Sequence, residues 1–453
     1  MRMSKTKKIV AAGIAFLLML TVLGTALPVK AQAATIRLNK KTVTLQVGKS
    51  VTLKIKGTSK KVTWSSTNKK VATVTKKGKV TAKKAGKATI VAKVGGKKYK
   101  CKLTVKALPL SKYWSADSAA AKSLRKYVAK VTNAKDKANF IPVKDRIAVF
   151  DMDGTLTCET YFTYYDTMMF IEYCLKDHPD KVSDELKAAA QEIKPGYTAG
   201  EELARNFAKA YAGMTIQELY DYAVEFGKKK TASFNNMRYI DGFYLPMVEL
   251  VKYLYDNDFT IYVVSGTERT TTRAIVANSP IKNYVTPNHV IGTEFEVKQK
   301  GYEDVSSNMD YKYVDGDELV ITGGFIQKNL NSNKVIYIER EIGQRPVLAF
   351  GNSGSDTSMM NYAIDHRNPY PAQAYMVIAD DGVREWGKQD TAEKSAAYKA
   401  QGYVPISMKN EFAQIYPKTI TRADVQYVES TALWRNNAIR LLRPFGLEQE
   451  LAA

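Results

Sequence analysis

Two carboxylates two residues apart close an apolar run in Arg146-Ile-Ala-Val-Phe-Asp151-Met-Asp153-Gly-Thr-Leu156. The run predicts a buried parallel strand. Gly154 and Thr155 turn the chain where that strand ends, so both side chains can be aimed at one point beyond its carboxyl end. Open α/β sheets bind ligands there. One carboxylate in such a place can attack an electrophile while the other moves protons. Asp151 is the expected nucleophile and Asp153 the expected acid–base group. A plain surface turn is the competing reading, and the apolar strand in front of the pair weighs against it.

Two more strands end in chemistry. Phe259-Thr-Ile-Tyr-Val-Val-Ser265-Gly266-Thr267 finishes in small hydroxyls, and Ser265 with the amides around Gly266 can hold a phosphoryl oxygen at a helix amino end. Thr270, Thr271 and Thr272 are expected to cap that helix. Arg345-Pro-Val-Leu-Ala-Phe-Gly351-Asn352-Ser-Gly-Ser-Asp356 offers oxygen ligands four residues apart, at Asn352 and Asp356. With Asp151 and Asp153 they form a hard oxygen set suited to Mg2+. Zinc is disfavoured, because only His178, His289 and His366 exist and they lack ligand spacing. Ala374 to Ala379 reads as a further strand; Asp380 and Asp381 after it are either site or loop carboxylates.

These strands need a frame. Asp117 to Val131 reads as an amphipathic helix capped by Asp117 or Ser118. From about 157 to 244 the pattern is helical, with Asp184 to Ile193 and Gly200 to Tyr211 at helix spacing. An insertion there reads as a cap that excludes water. Tyr161, Phe162, Tyr164 and Tyr165 near its start are either core packing or a substrate box.

Taken together, these pieces resemble the haloacid dehalogenase superfamily of hydrolases, in particular its phosphoserine-phosphatase-like branch, over about 112–453. The resemblance implies an α/β fold: a Rossmann-like doubly wound parallel sheet with an inserted helical cap. It implies Mg2+-dependent chemistry through an aspartyl-phosphate on Asp151, with Asp151, Asp153, Asn352 and Asp356 at the metal. Asn352 stands where the family often has Asp, which removes one charge from the ligand set. The family's lysine falls on Lys334 or, as competitor, Lys328. Thr155, Gly266, Glu159 and Arg269 are the expected substrate-binding residues, and Glu159 with Tyr161 and Tyr164 suits an amine-bearing ester. Membership of a superfamily does not fix the reaction. A proton donor at the leaving atom does, since expelling an alkoxide needs one and expelling a halide does not. Hydrolysis of a small phosphomonoester is expected. A phosphotransferase, or a wall-binding or adhesion protein with a degenerate catalytic domain, is the alternative.

The amino-terminal part differs. From 34 to 106 there are 21 Lys, one Arg (Arg37) and no Asp or Glu. The chain's net charge of +23 is therefore concentrated here, and the part after 106 is slightly acidic. Period-two patterning at Val51, Leu53, Ile55 and at Tyr99, Cys101, Leu103, Val105 predicts half-buried antiparallel strands with a lysine face. Gly95-Gly96 signals a hairpin, and Trp64 is an expected core residue of a small β-sandwich. Lys61-Val-Thr-Trp-Ser-Ser-Thr-Asn followed by Gly78-Lys-Val-Thr-Ala82 resembles the group 2 bacterial immunoglobulin-like domain, which implies a surface spacer or adhesion module. Lysine almost without arginine is poor at bidentate recognition, so specific nucleic-acid binding is not expected. Nonspecific attraction to an anionic cell-wall polymer, or a solvated surface without a fixed partner, fits better.

Residues 1–33 have a basic start, an apolar stretch from Ile9 to Leu27 and an Ala-x-Ala end, the pattern of a secretory signal peptide; an uncleaved anchor is the alternative. No later segment is expected to span a membrane. Three cysteines, Cys101, Cys158 and Cys174, argue against a disulfide framework and leave a single Cys158–Cys174 bridge open. The expected order is a signal peptide (1–33), a lysine-rich immunoglobulin-like domain (34–106) and a phosphatase-like domain (107–453).

Overall fold

The computed structural model describes residues 35–159, 164–194, 200–307, 309–426 and 443–444. The signal segment 1–33, Tyr161 and Phe162 lie outside the described residues. The chain divides into two compact units, Met1–Leu108 and Pro109–Ala453.

The first unit is built of short strands: β1 (Arg37–Leu38), β2 (Thr42–Gln46), β3 (Ser50–Thr52), β4 (Ile55–Lys56), β5 (Thr63–Ser66), β6 (Ala72–Val74), β7 (Lys79–Ala82), β8 (Gly86–Val94) and β9 (Lys97–Lys106). A four-stranded sheet β2-β9-β8-β5 and a three-stranded sheet β3-β7-β6 enclose Leu53, Val80, Ile90, Cys101, Leu103 and Val105. The β8–β9 hairpin turns on Gly95 and Gly96, both at positive φ (+54° and +82°), as a two-residue turn demands. Trp64 is half-buried rather than central. Its indole covers the turn at Gly78, where a Cβ would come within 3.1 Å of the ring. Alternation leaves Lys98, Lys100, Lys102 and Lys106 of β9 and Lys87 and Lys93 of β8 on the exposed face.

The second unit opens with α1 (Ala119–Val131), whose first turn is capped by Ser118 Oγ accepting the Ala121 amide. Strand β10 (Ile147–Phe150) follows and is wholly buried. The cap comes next: α2 (Tyr165–Glu172), α3 (Asp184–Gln191), α4 (Glu201–Ala210) and α5 (Ile216–Gly227), then the short strand β11 (Phe234–Asn235). The chain continues through α6 (Leu245–Tyr255), β12 (Thr260–Glu268), α7 (Arg269–Ala277), β13 (Val290–Gln299), β14 (Leu319–Gln327), α8 (Ser332–Glu341), β15 (Leu348–Gly351), α9 (Thr357–Ile364), β16 (Gln373–Ile378), α10 (Thr391–Ala400) and β17 (Val404–Ser407).

Seven strands form one sheet in the order β14-β13-β12-β10-β15-β16-β17. All neighbours are parallel except the β13–β14 pair. Strands β10 and β15 read as unbroken apolar runs because both faces are covered. Phe150 and Phe350 stack at 4.2 Å on one face, in the core that also holds Leu124, Met247 and Ile275 of α1, α6 and α7. Val149 and Ala349 face the other core, with Ile338, Met360 and Tyr398 of α8, α9 and α10. From β10 the connections run toward β12 on one side; from β15 they run toward β16 on the other. The β10/β15 boundary is therefore the switch point where such sheets open a crevice. Asp151 and Asn352 follow these two strands.

The β13–β14 hairpin has no counterpart in the sequence reading. Its edge strand is not left open: Gly213 N–H donates to Ile321 O (2.8 Å) and Ile321 N–H donates to Met214 O (2.9 Å), so the α4–α5 turn of the cap covers it. Helix α7 is capped by Glu268, whose carboxylate accepts the Thr270 and Thr271 amides at 2.7 Å each, not by the threonines themselves. Asp380 and Asp381 serve the fold. Asp380 accepts from Thr391, Ser407 and the Lys409 amide, and Asp381 ties down Arg384. No disulfide joins Cys158 to Cys174. Among the described residues no helix is long and apolar enough to cross a membrane.

Candidate active site

The turn after β10 is wound tightly around one carbonyl: Met152 O accepts the amides of Thr155, Leu156 and Thr157 at 3.2, 2.8 and 3.0 Å. Gly154 makes this possible. Its φ is +76°, and a Cβ there would lie 2.0 Å from Asn352 Nδ2 and 2.6 Å from Glu159 Oε1. The glycine thus lets the loops after β10 and β15 touch.

Asp151 sits where they meet. Its Oδ1 accepts from Lys334 Nζ at 2.6 Å. The Thr155 hydroxyl stands 3.2 Å from both Asp151 Oδ2 and Asn352 Oδ1, so these two oxygens converge. Lys334, in the first turn of α8, is fully buried and also donates to Asp356 Oδ1 (2.7 Å) and Val264 O (2.9 Å). Burial opposes its charge, but the two carboxylates outweigh it and hold the ammonium protonated. Burial, then the nearness of Asp356, pushes the Asp151 carboxyl up, with Lys334 pulling the other way. One cation between two carboxylates leaves excess negative charge. Asp356 spends its other oxygen on the Asn352 and Ser353 amides (3.0 and 3.1 Å), which shapes the loop after β15.

Among the described residues Asp153 has no cation at ion-pair distance. Its Oδ2 accepts from the Thr267 hydroxyl at 2.9 Å. Burial, Asp166 and Asp151 all push its carboxyl well above the usual range, which favours its protonated form. Asp153, Asp151, Glu159 and Asn352 line a cleft of about 300 Å3, closed on the cap side by Tyr164 and Asp166 and on the core side by Gly266, Thr267 and Lys328. Such a volume suits a small ligand. Glu159 accepts from Asn352 Nδ2 at 2.8 Å, and burial raises its carboxyl.

The model of the haloacid dehalogenase-like hydrolase family matches residues 148–361, from β10 through most of α9. This chain carries a haloacid dehalogenase-like hydrolase domain. The model of the group 2 bacterial Ig-like domain matches 32–105, so the first unit is a bacterial Ig-like domain. Among solved structures, a functionally unknown protein from Anaerococcus prevotii is similar at 13% identity over 63% of this chain and 90% of that one, with a TM-score of 0.39. Cytosolic 5'-nucleotidase IIIB bound to cytidine is similar at 10% identity over 64% of this chain and 86% of that one, with a TM-score of 0.33. Domains 4 and 5 of the S-layer protein SbsC are similar at 26% identity over 16% of this chain and 50% of that one, with a TM-score of 0.14. No curated protein matches the chain.

Within the hydrolase domain, the structure gathers Asp151, Asp153, Thr155, Glu159, Gly266, Asn352 and Lys334 around one point, but not every expected residue reaches the cleft. Ser265 is fully buried, and its Oγ accepts the Thr267 amide at 3.0 Å, so Thr267 is the hydroxyl that meets Asp153. Arg269 turns away. Its guanidinium bridges Glu294 of β13 (2.7 Å) and Glu341 of α8, because the first residue of α7 projects toward those elements. Asp356 does not line the cleft, since Lys334 and the loop amides engage both its oxygens. Asp166 faces the cleft without a sequence signal; Thr267 belongs to the Ser-Gly-Thr run, and Lys328, the competitor for the lysine, lines the cleft as well. Asp166 reaches it only because the cap folds back.

A divalent cation fits this donor set. The Asp151 and Asn352 side-chain oxygens converge on one point, and Asp153 and Glu159 line the cleft beside them. Among the described residues no three His, Cys, Asp or Glu side chains form a metal cluster by themselves. The set therefore depends on the Asn352 amide oxygen beside the Asp151 carboxylate, hard donors suited to Mg2+ rather than zinc.

Proposed function

We propose that this chain is an exported, Mg2+-dependent phosphomonoesterase working through an aspartyl-phosphate on Asp151. The observation that carries the reading is the contrast between two adjacent carboxylates. Asp151 has an ammonium at 2.6 Å, whereas Asp153 has, among the described residues, a hydroxyl partner at 2.9 Å, and burial with nearby carboxylates raises its carboxyl toward the protonated form. Groups whose surroundings differ in this way divide nucleophilic and acid–base work.

An Asp151 oxygen attacks phosphorus and the bond to the leaving oxygen breaks. Asp153 gives that oxygen its proton. Asp153, now ionised, takes a proton from water. The resulting hydroxide attacks phosphorus, the bond to Asp151 breaks, and phosphate leaves. Lys334 holds Asp151 in line, and Thr155 orients its other oxygen toward Asn352. Gly266 and Thr267 on the cleft wall lie beside the phosphoryl oxygens. Mg2+, held by Asp151, Asn352 and the Asp153 carbonyl, would offset repulsion between the anionic nucleophile and the phosphate. The cap helices exclude water from the cleft.

Glu159 and Tyr164 on the cleft wall support an amine-bearing leaving group such as that of phosphoserine, phosphoethanolamine or phosphocholine. The charge of the Ig-like domain supports retention on an anionic wall polymer, and residues 1–33 support export. A phosphotransferase would share every step but the last acceptor. A degenerate binding domain is disfavoured by the intact Asp151, Asp153 and Lys334.

The test is phosphate release from an aryl phosphate and from a panel of amine-bearing esters. It is run with Mg2+, with chelator, and with Asp151→Asn. Turnover that needs the metal and vanishes with Asp151→Asn is expected. Turnover that survives Asp151→Asn would sink the mechanism, and a new phosphoester in the presence of added alcohols would favour transfer.

A further inference from the structure

An ammonium has three donors, and Lys334 has used all of them: on Asp151, Asp356 and the Val264 carbonyl, at 2.6, 2.7 and 2.9 Å. It is fully buried and does not line the cleft. To meet a substrate oxygen it would have to abandon one of these three acceptors. Lys328 is the reverse case. It lines the cleft, is only 7% exposed, and among the described residues its Nζ has no hydrogen bond and no ion pair. A cation buried without a partner is costly, so the position asks for an anion that arrives with the ligand.

The neighbouring backbone fixes Lys328 in place. Asn329 Nδ2 donates to Ser265 O at 2.9 Å, the Asn329 amide donates to Thr293 Oγ1 at 3.1 Å, and the Thr293 hydroxyl donates to Gly266 O at 2.6 Å. Leu330 packs on Gly266 so closely that a Cβ there would lie 2.7 Å from Leu330 Cδ2. Residues 328–330 are thus clamped to the loop that places Gly266 and Thr267 on the cleft wall. Lys328 itself follows β14, the strand that the cap's α4–α5 turn covers.

We propose that two lysines divide the work: Lys334 positions Asp151, and Lys328 is the catalytic cation that contacts the oxygens of the transferring phosphoryl group. The assignment rests on the phosphomonoesterase reading. Burial lowers the pKa of Lys328, with Asp166 and Asp153 pulling the other way across the cleft; the rival reading is that Lys328 only neutralises those two carboxylates.

The test measures binding of inorganic phosphate in the presence of Mg2+, as product inhibition and by calorimetry. It uses the wild type, Lys328→Gln, Lys328→Arg and the double variant Lys328→Gln/Asp166→Asn. We expect Lys328→Gln to weaken phosphate by at least about tenfold, with Lys328→Arg recovering part of the loss, because a charge-assisted bond to the anion disappears. Phosphate should also shield Lys328 of the wild-type protein from amine acylation read by mass spectrometry, a measurement that needs no variant to fold. Unchanged phosphate affinity in folded Lys328→Gln, absent shielding, or recovery in the double variant overturns the proposal. A wild type that hydrolyses phosphoesters with any of those results loses only this inference. A wild type that neither binds phosphate nor turns over loses the phosphatase reading as well.

Discussion

Asp356 and Asp151 grip the same ammonium, that of Lys334, at 2.7 and 2.6 Å, from two loops that follow neighbouring strands. The triad is buried, so its members depend on one another. Removing the cation strands two carboxylates in a low-dielectric interior. Lys334→Met should therefore destabilise the hydrolase domain by about 3–5 kcal/mol, the usual result of breaking a buried pair from one side. Urea unfolding followed by tryptophan fluorescence measures it. A loss below about 1 kcal/mol, typical of exposed pairs, would mean that the triad opens to water in solution.

Gly154→Ala tests the approach of the two loops. The added methyl group has no room beside Asn352 and Glu159, and the backbone stands at φ +76°. The turn has to shift, and Asp151 and Asp153 shift with it. Misplacement of about 1 Å can cost on the order of 100-fold in rate. We expect kcat to fall on that scale while the melting temperature drops by only a few degrees. An active Gly154→Ala enzyme would show that the loop geometry is less tightly determined than this close packing indicates.

Glu385 gives a prediction on pH. It is buried against Tyr416, and burial pushes its carboxyl up to about 8, against the opposing hydrogen bond from Tyr416. Its ordinary value is 4.5. Between these two values the folded state holds more protons than the unfolded state. Stability therefore falls as pH rises through the window, by at most about 1.4 kcal/mol per pH unit from this group. Glu385→Gln keeps an acceptor for Tyr416 and removes the titration. Denaturation curves at pH 5, 6, 7 and 8 should show the variant gaining on the wild type at each step; a constant difference would refute the assignment.

Arg269 separates folding from chemistry. It binds Glu294 and Glu341, not the cleft. Arg269→Met should leave kcat/KM within about twofold and lower stability by about 1–3 kcal/mol, since two carboxylates lose hydrogen bonds to a charged partner. A large rise in KM with unchanged stability would return Arg269 to the substrate.

These cases mark what a linear reading reaches. Asp151, Asp153 and Gly154 were legible because strand, turn and carboxylates are contiguous, and the apolar run of β10 needs no partner to be recognised. Asn352 was legible for the same reason after β15. Ser265, Gly266 and Thr267 were found as a group, but which hydroxyl faces Asp153 depends on how β12 ends, and Ser265 is folded inward onto the Thr267 amide. Arg269 follows the same loop, and its direction is set by Glu294 and Glu341, 25 and 72 residues away in sequence. Asp166 joins the site through the cap. The β13–β14 hairpin stayed hidden because its pattern is mixed: β14 buries Val320 and Ile321 yet exposes Leu319 and Ile326. Only its pairing with the cap turn accounts for it.

The lysine face of the Ig-like domain makes the last prediction. Lys98, Lys100 and Lys102 alternate outward along β9, roughly 7 Å apart, with Lys93 opposite Lys98 across the hairpin. No Asp or Glu occurs between 34 and 106 to neutralise them. A regular row of uncompensated charge should hold a linear polyphosphodiester mainly by counterion release, so the logarithm of affinity should fall linearly with the logarithm of salt. Full-length chain bound to polyglycerophosphate beads should elute at lower salt when Lys98, Lys100 and Lys102 are all changed to Gln. The slope should flatten by roughly one unit for each phosphate that is no longer neutralised. Because these side chains are exposed, stability should move by less than about 0.5 kcal/mol for each, which keeps the comparison clean. Retention that ignores salt, or that survives the triple change with its slope intact, would leave the face as a solvated surface without a polyanionic partner.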